Sequence, residues 1–169
     1  MPATAGLVLL CAVFPLAAAL AGSKDLGALS LLKNAEYRLA LGGQQVRLRN
    51  GVFQKGRSPD EYVRVVFDRA ALGDLNGDGI DDAAVILVHT SMGSGAFHEL
   101  VLMTRERPRF VQRRSILLGD RVHIRTLRVR AGMVEVVLKT HKETDAACCP
   151  TQPATRRYGL RGPPSQQSP

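Results

Sequence analysis

Cysteine and aromatic side chains are scarce in this chain, and the shortage of cysteine excludes a fold that depends on long-range disulfides. The 169 residues include three cysteines, three tyrosines, five phenylalanines and no tryptophan. Cys148 and Cys149 are adjacent, so they cannot close a long loop, and Cys11 lies in an apolar N-terminal run. Burial of apolar side chains must therefore supply the stability of the fold.

Charged side chains are missing from the N-terminus. Residues 1–21 contain no Lys, Arg, Asp or Glu, and an apolar run over 7–20 ends at Ala19-Leu20-Ala21, which matches an A-x-A cleavage motif. The run is too short for a strong membrane anchor, and no later segment has a transmembrane composition. We therefore expect residues 1–21 to be a signal peptide and the protein to be exported to the periplasm or the extracellular space.

The remaining chain lacks any internal period of 20 to 50 residues, which argues against a solenoid or a complete propeller. It is about 148 residues long, a length typical of one domain with a real core. We predict a single domain over residues 22–160. A tail rich in Pro, Ser and Gln follows over residues 161–169 and is predicted to be disordered.

Alternating apolar and polar residues predict a mainly β, antiparallel domain, either a sandwich or a partly open barrel. A continuous apolar run over 83–88 is typical of a central strand, and Asn50-Gly51 is a strong hairpin signal. Leucines 26, 29 and 32 predict one short helix over 25–34. The predicted strands cover residues 36–41, 45–49, 51–54, 62–68, 83–88, 99–104, 109–113, 122–125 and 134–139.

The most distinctive motif is an acidic loop over residues 74–82, in which four Asp and one Asn surround two glycines. Carboxylates this close repel one another, and a hard divalent ion such as Ca²⁺ relieves that repulsion with oxygen ligands. Val85 stands where the twelfth position of an EF-hand loop needs a carboxylate, so an EF-hand is excluded. The predicted ligands of one Ca²⁺ are Asp74, Asn76, Asp78, the carbonyl of Ile80, and Asp82.

This D-x-N-x-D-G-x-x-D stretch resembles the calcium loops of FG-GAP and related integrin-like repeats, where the loop leads directly into a strand. The resemblance implies a Ca²⁺ ion that stabilises a β turn. The alternative is an Asp/Asn/Gly-rich turn that binds no ion tightly. Asp81 alternates with its neighbours, and we expect it to face solvent or pair with an arginine.

A wider set of motifs is similar to a family of small exported bacterial proteins without an assigned function. The similarity covers about residues 34–160. It implies export and a single β domain, and it implies no reaction. The motifs that carry it are Asn34-Ala35-Glu36-Tyr37, the 73–87 segment, Gly93-Ser94-Gly95, Leu118-Gly119-Asp120-Arg121-Val122 and Cys148-Cys149-Pro150-Thr151.

The net charge of +8 comes mainly from one segment. One interpretation is a surface for an anionic envelope polymer, and the other is a set of solvated strand exteriors. Only Phe110 could stack on a base there, which argues against nucleic acid as the partner. The segment contains nine arginines, namely Arg105, Arg107, Arg109, Arg113, Arg114, Arg121, Arg125, Arg128 and Arg130.

Signals for catalysis are weak. Ser94 lies in a glycine-rich stretch that fits no nucleophile motif. His89 and His98 flank that stretch and could supply two ligands to Zn²⁺ or Cu²⁺, which is too few for a site. Cys148 and Cys149 could form a strained structural disulfide, a redox switch or a cross-link to another chain, or could stay reduced.

We therefore expect an exported, non-enzymatic protein with a structural Ca²⁺ loop that serves in binding or in envelope structure. Its partner would be an anionic envelope polymer or another envelope protein. A redox or hydrolytic enzyme is the remaining alternative.

Overall fold

The computed structural model of the protein describes residues 17–58, 61–91, 95–162 and 165–167, with side chains described within 25–58, 61–91 and 95–162. Most of the predicted signal peptide, residues 1–16, lies outside the described residues. The described part contains one helix, α1 (Ala17–Lys33), followed by strands β1 (Glu36–Arg38), β2 (Gln45–Arg47), β3 (Val52–Lys55), β4 (Val63–Gly73), β5 (Asp82–Ser91), β6 (Phe97–Glu106), β7 (Arg109–Asp120), β8 (His123–Arg130), β9 (Met133–Thr140), β10 (Gln152–Tyr158) and β11 (Ser165–Gln167).

The strands form three antiparallel sheets. Strands β3 to β7 form a five-stranded sheet in chain order, β8 to β11 form a four-stranded sheet in chain order, and β1 pairs with β2. The predicted class, a mainly β antiparallel domain with a short helix, is confirmed. No helix in the described residues combines the length and the apolar character needed to cross a membrane.

The five-stranded sheet is covered on both faces. In β5, Ala83, Val85 and Leu87 face one core, whereas Ala84 and Ile86 face a second core. The second core lies between the two larger sheets, which pack against each other as in a sandwich. The uninterrupted apolar run over 83–88 thus belongs to a strand that pairs with β4 on one side and β6 on the other.

The first core is closed by α1 and the β1–β2 hairpin. Ala28 and Leu32, four residues apart on the helix, are fully buried in it. The Tyr37 hydroxyl donates to the carbonyl of Leu32 at 2.7 Å, which joins the hairpin to the helix, and burial raises the pKa of Tyr37. Leu26, which belongs to the leucine pattern that predicted the helix, is 71% exposed and lies outside this core.

Two tight turns have the geometry that their sequences predict. Asn50 and Gly51 have φ of 52° and 85°, and Arg49 and Val52 pair across them. Ala131 and Gly132 have φ of 47° and 71° between β8 and β9. Two consecutive positive φ values are the mark of a type I′ turn, whose twist matches that of the strands it joins.

Several elements differ from the sequence-based expectation. Strand β4 extends to Gly73 and β7 to Asp120, both well beyond the predicted ends. Strand β10 was not predicted, because Pro153 and two arginines obscure its alternation, although it pairs along its whole length with β9. Residues 165–167 fall in the tail predicted to be disordered and form β11 beside β10.

Candidate functional site

The acidic loop connects β4 to β5 and is held by a series of nested turns. In each turn a side-chain Oδ1 accepts a hydrogen bond from the backbone amide two residues later. Asp74 accepts the amide of Asn76 at 3.1 Å and Asn76 accepts the amide of Asp78 at 2.9 Å. Asp78 accepts the amide of Ile80 at 2.7 Å. Each bond spans two residues, the pattern of consecutive Asx turns. Gly77 and Gly79 have φ of 84° and 77°, which explains why glycine alternates with the acidic side chains.

Asp74 lies at the centre of these turns. Besides Asn76, its carboxylate accepts the amides of Gly77 at 2.6 Å and Gly79 at 2.9 Å. The amides of Gly79 and Gly77 lower the pKa of Asp74, because hydrogen bonds to the charged form favour it. The Nδ2 of Asn76 donates to Oδ2 of Asp78 at 2.8 Å, so the side chains of these two predicted ligands are in contact.

Asp82 has a different environment from the other predicted ligands. It is fully buried, and its Oδ2 accepts the amide of Leu75 at 3.0 Å while its Oδ1 accepts the amide of Arg105 at 2.8 Å. Leu75 is itself 6% exposed and packs in the second core. The Asp82 carboxylate therefore ties the start of the loop to the end of β6.

Arginines lie on both sides of the loop. Asp81 is exposed and shares a cleft of about 590 Å³ with Arg105 and Arg107. Asp78 shares a second cleft, of about 410 Å³, with Arg113 and Arg161 among its lining residues. These guanidinium groups place positive charge near the loop, which weakens the attraction that the loop can exert on a cation.

The acidic loop offers a limited set of donors to a metal ion. No group of three or more His, Cys, Asp and Glu side chains suited to a metal occurs in the described part of the chain. A cation in the loop would have to rely on the carboxylates of Asp74 and Asp78, the amide oxygen of Asn76, the carbonyl of Ile80 and water. All of these donors are oxygens, which suits Ca²⁺ rather than Zn²⁺ or Cu²⁺.

The nine arginines of residues 105–130 do not share one face. Arg105, Arg107 and Arg109 lie around the β6–β7 turn, and Arg105 stacks over the ring of Phe110, 5.0 Å from its centroid. Arg113 pairs with Glu106, Arg121 pairs with Asp120, and Arg114 donates to the carbonyl of Gly159 at 3.0 Å. The remaining three, Arg125, Arg128 and Arg130, are exposed along β8.

His89 and His98 cannot share a metal ion. His98 pairs with Val88 and His89 with Phe97 across β5 and β6, so the two imidazoles project from opposite faces of the sheet. Nδ1 of His98 lies 3.1 Å from the carbonyl oxygen of Ala96. Burial lowers the pKa of both histidines.

Glu99 is a buried polar residue that the sequence analysis did not single out. It is fully buried and accepts the amides of Ala40 at 2.7 Å and Leu41 at 3.1 Å, and the hydroxyl of Ser115 at 3.2 Å. Its carboxylate thus joins β6 to the β1–β2 loop and to β7. The sequence does contain a signal for this buried carboxylate, because Glu99 is a single acidic residue directly before the apolar run Leu100 to Met103.

His89 projects from the same face as Glu99 and is 5% exposed. In the described part of the chain neither ring nitrogen has a hydrogen-bond partner. Burial is the main cause that lowers its pKa, and the negative charge of Glu99 opposes the shift. Since the unfolded chain takes up this proton near pH 6.5 and the folded chain resists it, acidification below pH 6.5 favours unfolding until the folded pKa is reached.

We predict that His89→Leu flattens the pH dependence of stability. The free energy of unfolding of the wild type should fall between pH 7 and pH 5, and the variant should lose up to about 1.4 kcal/mol per pH unit of that slope, the value for one proton. Urea unfolding at several pH values measures both slopes. His123→Leu, at an exposed position of β8, is the control. Equal slopes for wild type and His89→Leu would contradict the prediction.

The remaining candidates lie away from the acidic loop. Cys148 and Cys149 form a disulfide in an exposed segment between β9 and β10. Asp145 closes that segment by accepting the amides of Lys142 at 2.9 Å and Thr151 at 2.8 Å. Ser94 lies outside the described residues.

Comparisons with known proteins identify no relative. No family model, no curated protein and no solved structure matches this chain.

Proposed function

We propose that the protein is an exported, non-enzymatic β domain whose acidic loop binds Ca²⁺ and so orders the connection between β4 and β5. The observation that carries this proposal is the series of Asx turns that holds the side-chain oxygens of Asp74, Asn76 and Asp78 at alternating positions of one loop, with Asn76 and Asp78 joined at 2.8 Å. The depressed pKa of Asp74 supports it, because a carboxylate that stays ionised attracts a cation over a wide pH range. Export, expected from residues 1–21, would expose the loop to extracellular cations.

A binding role is favoured over catalysis by the use of the two fully buried carboxylates. Both oxygens of Asp82 and both oxygens of Glu99 accept backbone amides. A general acid or base must exchange its proton with a substrate, and these two carboxylates, unlike those of the acidic loop, are fully buried with both oxygens accepting amides. Their role is to position loops.

The proposed Ca²⁺ affinity is low. Affinity in oxygen-ligand loops increases with the number of charged ligands and with the rigidity of the site, and extracellular modules have a Kd of about 10⁻⁴ to 10⁻³ M. Here two carboxylates would hold the ion, and Arg105, Arg107 and Arg113 line the adjoining clefts. We place this loop in the same millimolar range.

We predict that 10 mM Ca²⁺ raises the melting temperature of the protein by about 3–10 °C relative to protein in chelator, because an ion that binds only the folded state stabilises it. Differential scanning calorimetry after exhaustive chelation, with and without added Ca²⁺, gives the difference. A melting temperature that does not respond to Ca²⁺ would overturn the proposal.

The matched variants are Asp78→Ala and Asp81→Ala, which remove one carboxylate each from the same loop. Asp78→Ala should abolish most of the Ca²⁺ response, whereas Asp81→Ala should keep it. If both variants lose the response equally, the effect is one of general negative charge, and the proposed ligand set is wrong.

A further inference from the structure

The outer face of the four-stranded sheet carries an excess of positive charge. The strand pairing places Arg128 of β8, Glu135 of β9 and Arg157 of β10 in one row across the sheet. Lys139 lies further along β9, on the same side as Glu135. Their inward-facing neighbours, such as Val134, Val136 and Leu138, are buried in the second core, which confirms that this row faces outward.

A β-bulge in β8 adds to the outer face. Between Ile124 and Thr126 the pairing with β9 shifts by one residue, so Ile124 and Leu127, three residues apart, both contact the second core. Arg125 at the bulge is exposed, as are Arg128 and Arg130. The bulge therefore allows β8 to present three arginines without turning its apolar residues outward.

Most of this charge is not neutralised within the protein. Glu135 is the one carboxylate among the described residues of these strands, and it pairs with Arg157 at 3.1 Å. Among the described residues, Arg125, Arg128, Arg130 and Lys139 form no ion pair with a carboxylate. Because neighbouring strands are about 4.8 Å apart, Arg128 and Arg157 lie about 10 Å apart across the face.

We propose that this outer face binds a linear anionic polysaccharide, through Arg125, Arg128, Lys139 and Arg157. The proposal gives a ligand class to the binding role proposed above and rests on it, but it does not depend on the Ca²⁺ ion. Cations spread over three adjacent strands match the repeated charges of an extended polymer, which can make many weak contacts at once.

Two other polyanions fit the face less well. No Phe, Tyr or Trp side chain lies on this face among the described residues, and the imidazole of His123 at its edge is the one aromatic ring there, so bases of a nucleic acid would have little to stack on. A membrane surface is bound most firmly when apolar side chains enter it, and this face offers only the partly buried Val137 at its centre and Met133 at its end. Sugars with carboxylate or sulfate groups need neither feature.

The test compares two triple variants with the same loss of charge. The face variant replaces Arg125, Arg128 and Lys139 by Gln. The control variant replaces Arg49, Lys55 and Arg109 by Gln, all of which are exposed elsewhere on the protein. Arg130 is left unchanged because the adjoining turn approaches the acidic loop, where a Cβ on Gly132 would lie 3.9 Å from the carbonyl oxygen of Leu75.

The probes are heparin, as a sulfated polysaccharide, and polygalacturonate, as a carboxylated one. Wild type should bind at least one of them, with an affinity that decreases as salt is raised, and the face variant should bind about tenfold more weakly. The control variant should keep most of the wild-type affinity. Binding is measured by titration at several salt concentrations, once with 10 mM Ca²⁺ and once with chelator.

Three outcomes would overturn the proposal. They are no binding of either polysaccharide by the wild type, an equal loss in the face and control variants, and tighter binding of duplex DNA or phosphatidylglycerol vesicles than of either polysaccharide. If the protein binds polysaccharide in chelator and its melting temperature does not change with Ca²⁺, the Ca²⁺ proposal is rejected and the polysaccharide proposal is kept. If Ca²⁺ raises the melting temperature and the protein binds neither polysaccharide, the polysaccharide proposal is rejected and the Ca²⁺ proposal is kept.

Discussion

Replacing Asp82 by alanine is expected to lower the free energy of unfolding by about 2–4 kcal/mol, since it leaves two backbone amides without their acceptor inside the protein. The amides are those of Leu75 and Arg105, and the carboxylate that they share is fully buried. The removal of a buried charge offsets part of this loss. Asp82→Asn should also destabilise, because its amide group would turn an N–H toward one of the two donors.

Urea unfolding in the presence of chelator measures this effect without any contribution from Ca²⁺. Asp81→Ala is the matched control, because it removes the neighbouring exposed carboxylate and should change stability by no more than about 0.5 kcal/mol. If Asp82→Ala were as stable as Asp81→Ala in chelator, the two amide bonds would not stabilise the loop. A loss of stability seen only with Ca²⁺ present would instead make Asp82 a ligand.

Replacing Glu99 by alanine is expected to cost a similar amount, about 2–4 kcal/mol. Three donors lose their acceptor, the amides of Ala40 and Leu41 and the hydroxyl of Ser115. The β1–β2 loop would then lose two of its hydrogen bonds to the five-stranded sheet and would be held by the packing of Leu39 in the first core. Ser115→Ala removes one donor and leaves the carboxylate with the other two, so it should cost about 1 kcal/mol.

Hydrogen exchange locates the effect as well as its size. In Glu99→Ala the amides of residues 40 and 41 should exchange much faster than in the wild type, whereas the central strands should lose protection only as far as global stability falls. Glu36→Ala is the control, since Glu36 lies in the same hairpin and forms an exposed pair with Arg47. Equal stabilities of Glu99→Ala and Glu36→Ala would contradict the prediction.

The sequence was informative where a local rule decides the structure. Asn50-Gly51 turns as predicted because Asn and Gly accept positive φ at little cost. The apolar run of β5 predicted a central strand because only a strand covered on both faces can bury consecutive apolar side chains. The Asx turns of the acidic loop likewise follow from Asp, Asn and Gly at alternating positions.

Tertiary contacts decided what the sequence did not reveal. The spacing of the acidic residues predicted the same role, that of a Ca²⁺ ligand, for Asp82 as for Asp74 and Asp78. In the structure Asp82 also accepts the amide of Arg105, 23 residues away, and so ties the loop to β6. Strand β10 combines a proline with polar residues and forms because β9 offers a paired edge. Arg125 and Arg157 lie far apart in the sequence, so counting charges segment by segment could not assign them to one face of a sheet.

The apolar character of both faces of β5 has a consequence for how that strand is aligned with its neighbours. When one face of a strand is polar, a slip of one residue exposes apolar side chains and is strongly disfavoured. In β5 such a slip would merely exchange Ala83 and Val85 for Ala84 and Ile86 between two apolar cores. The alignment is therefore also specified at the start of the strand, where Asp82 of β5 accepts the amide of Arg105 on β6 and fixes one strand against the other. A variant that lacks this carboxylate should populate shifted strand pairings that a single core substitution would not produce.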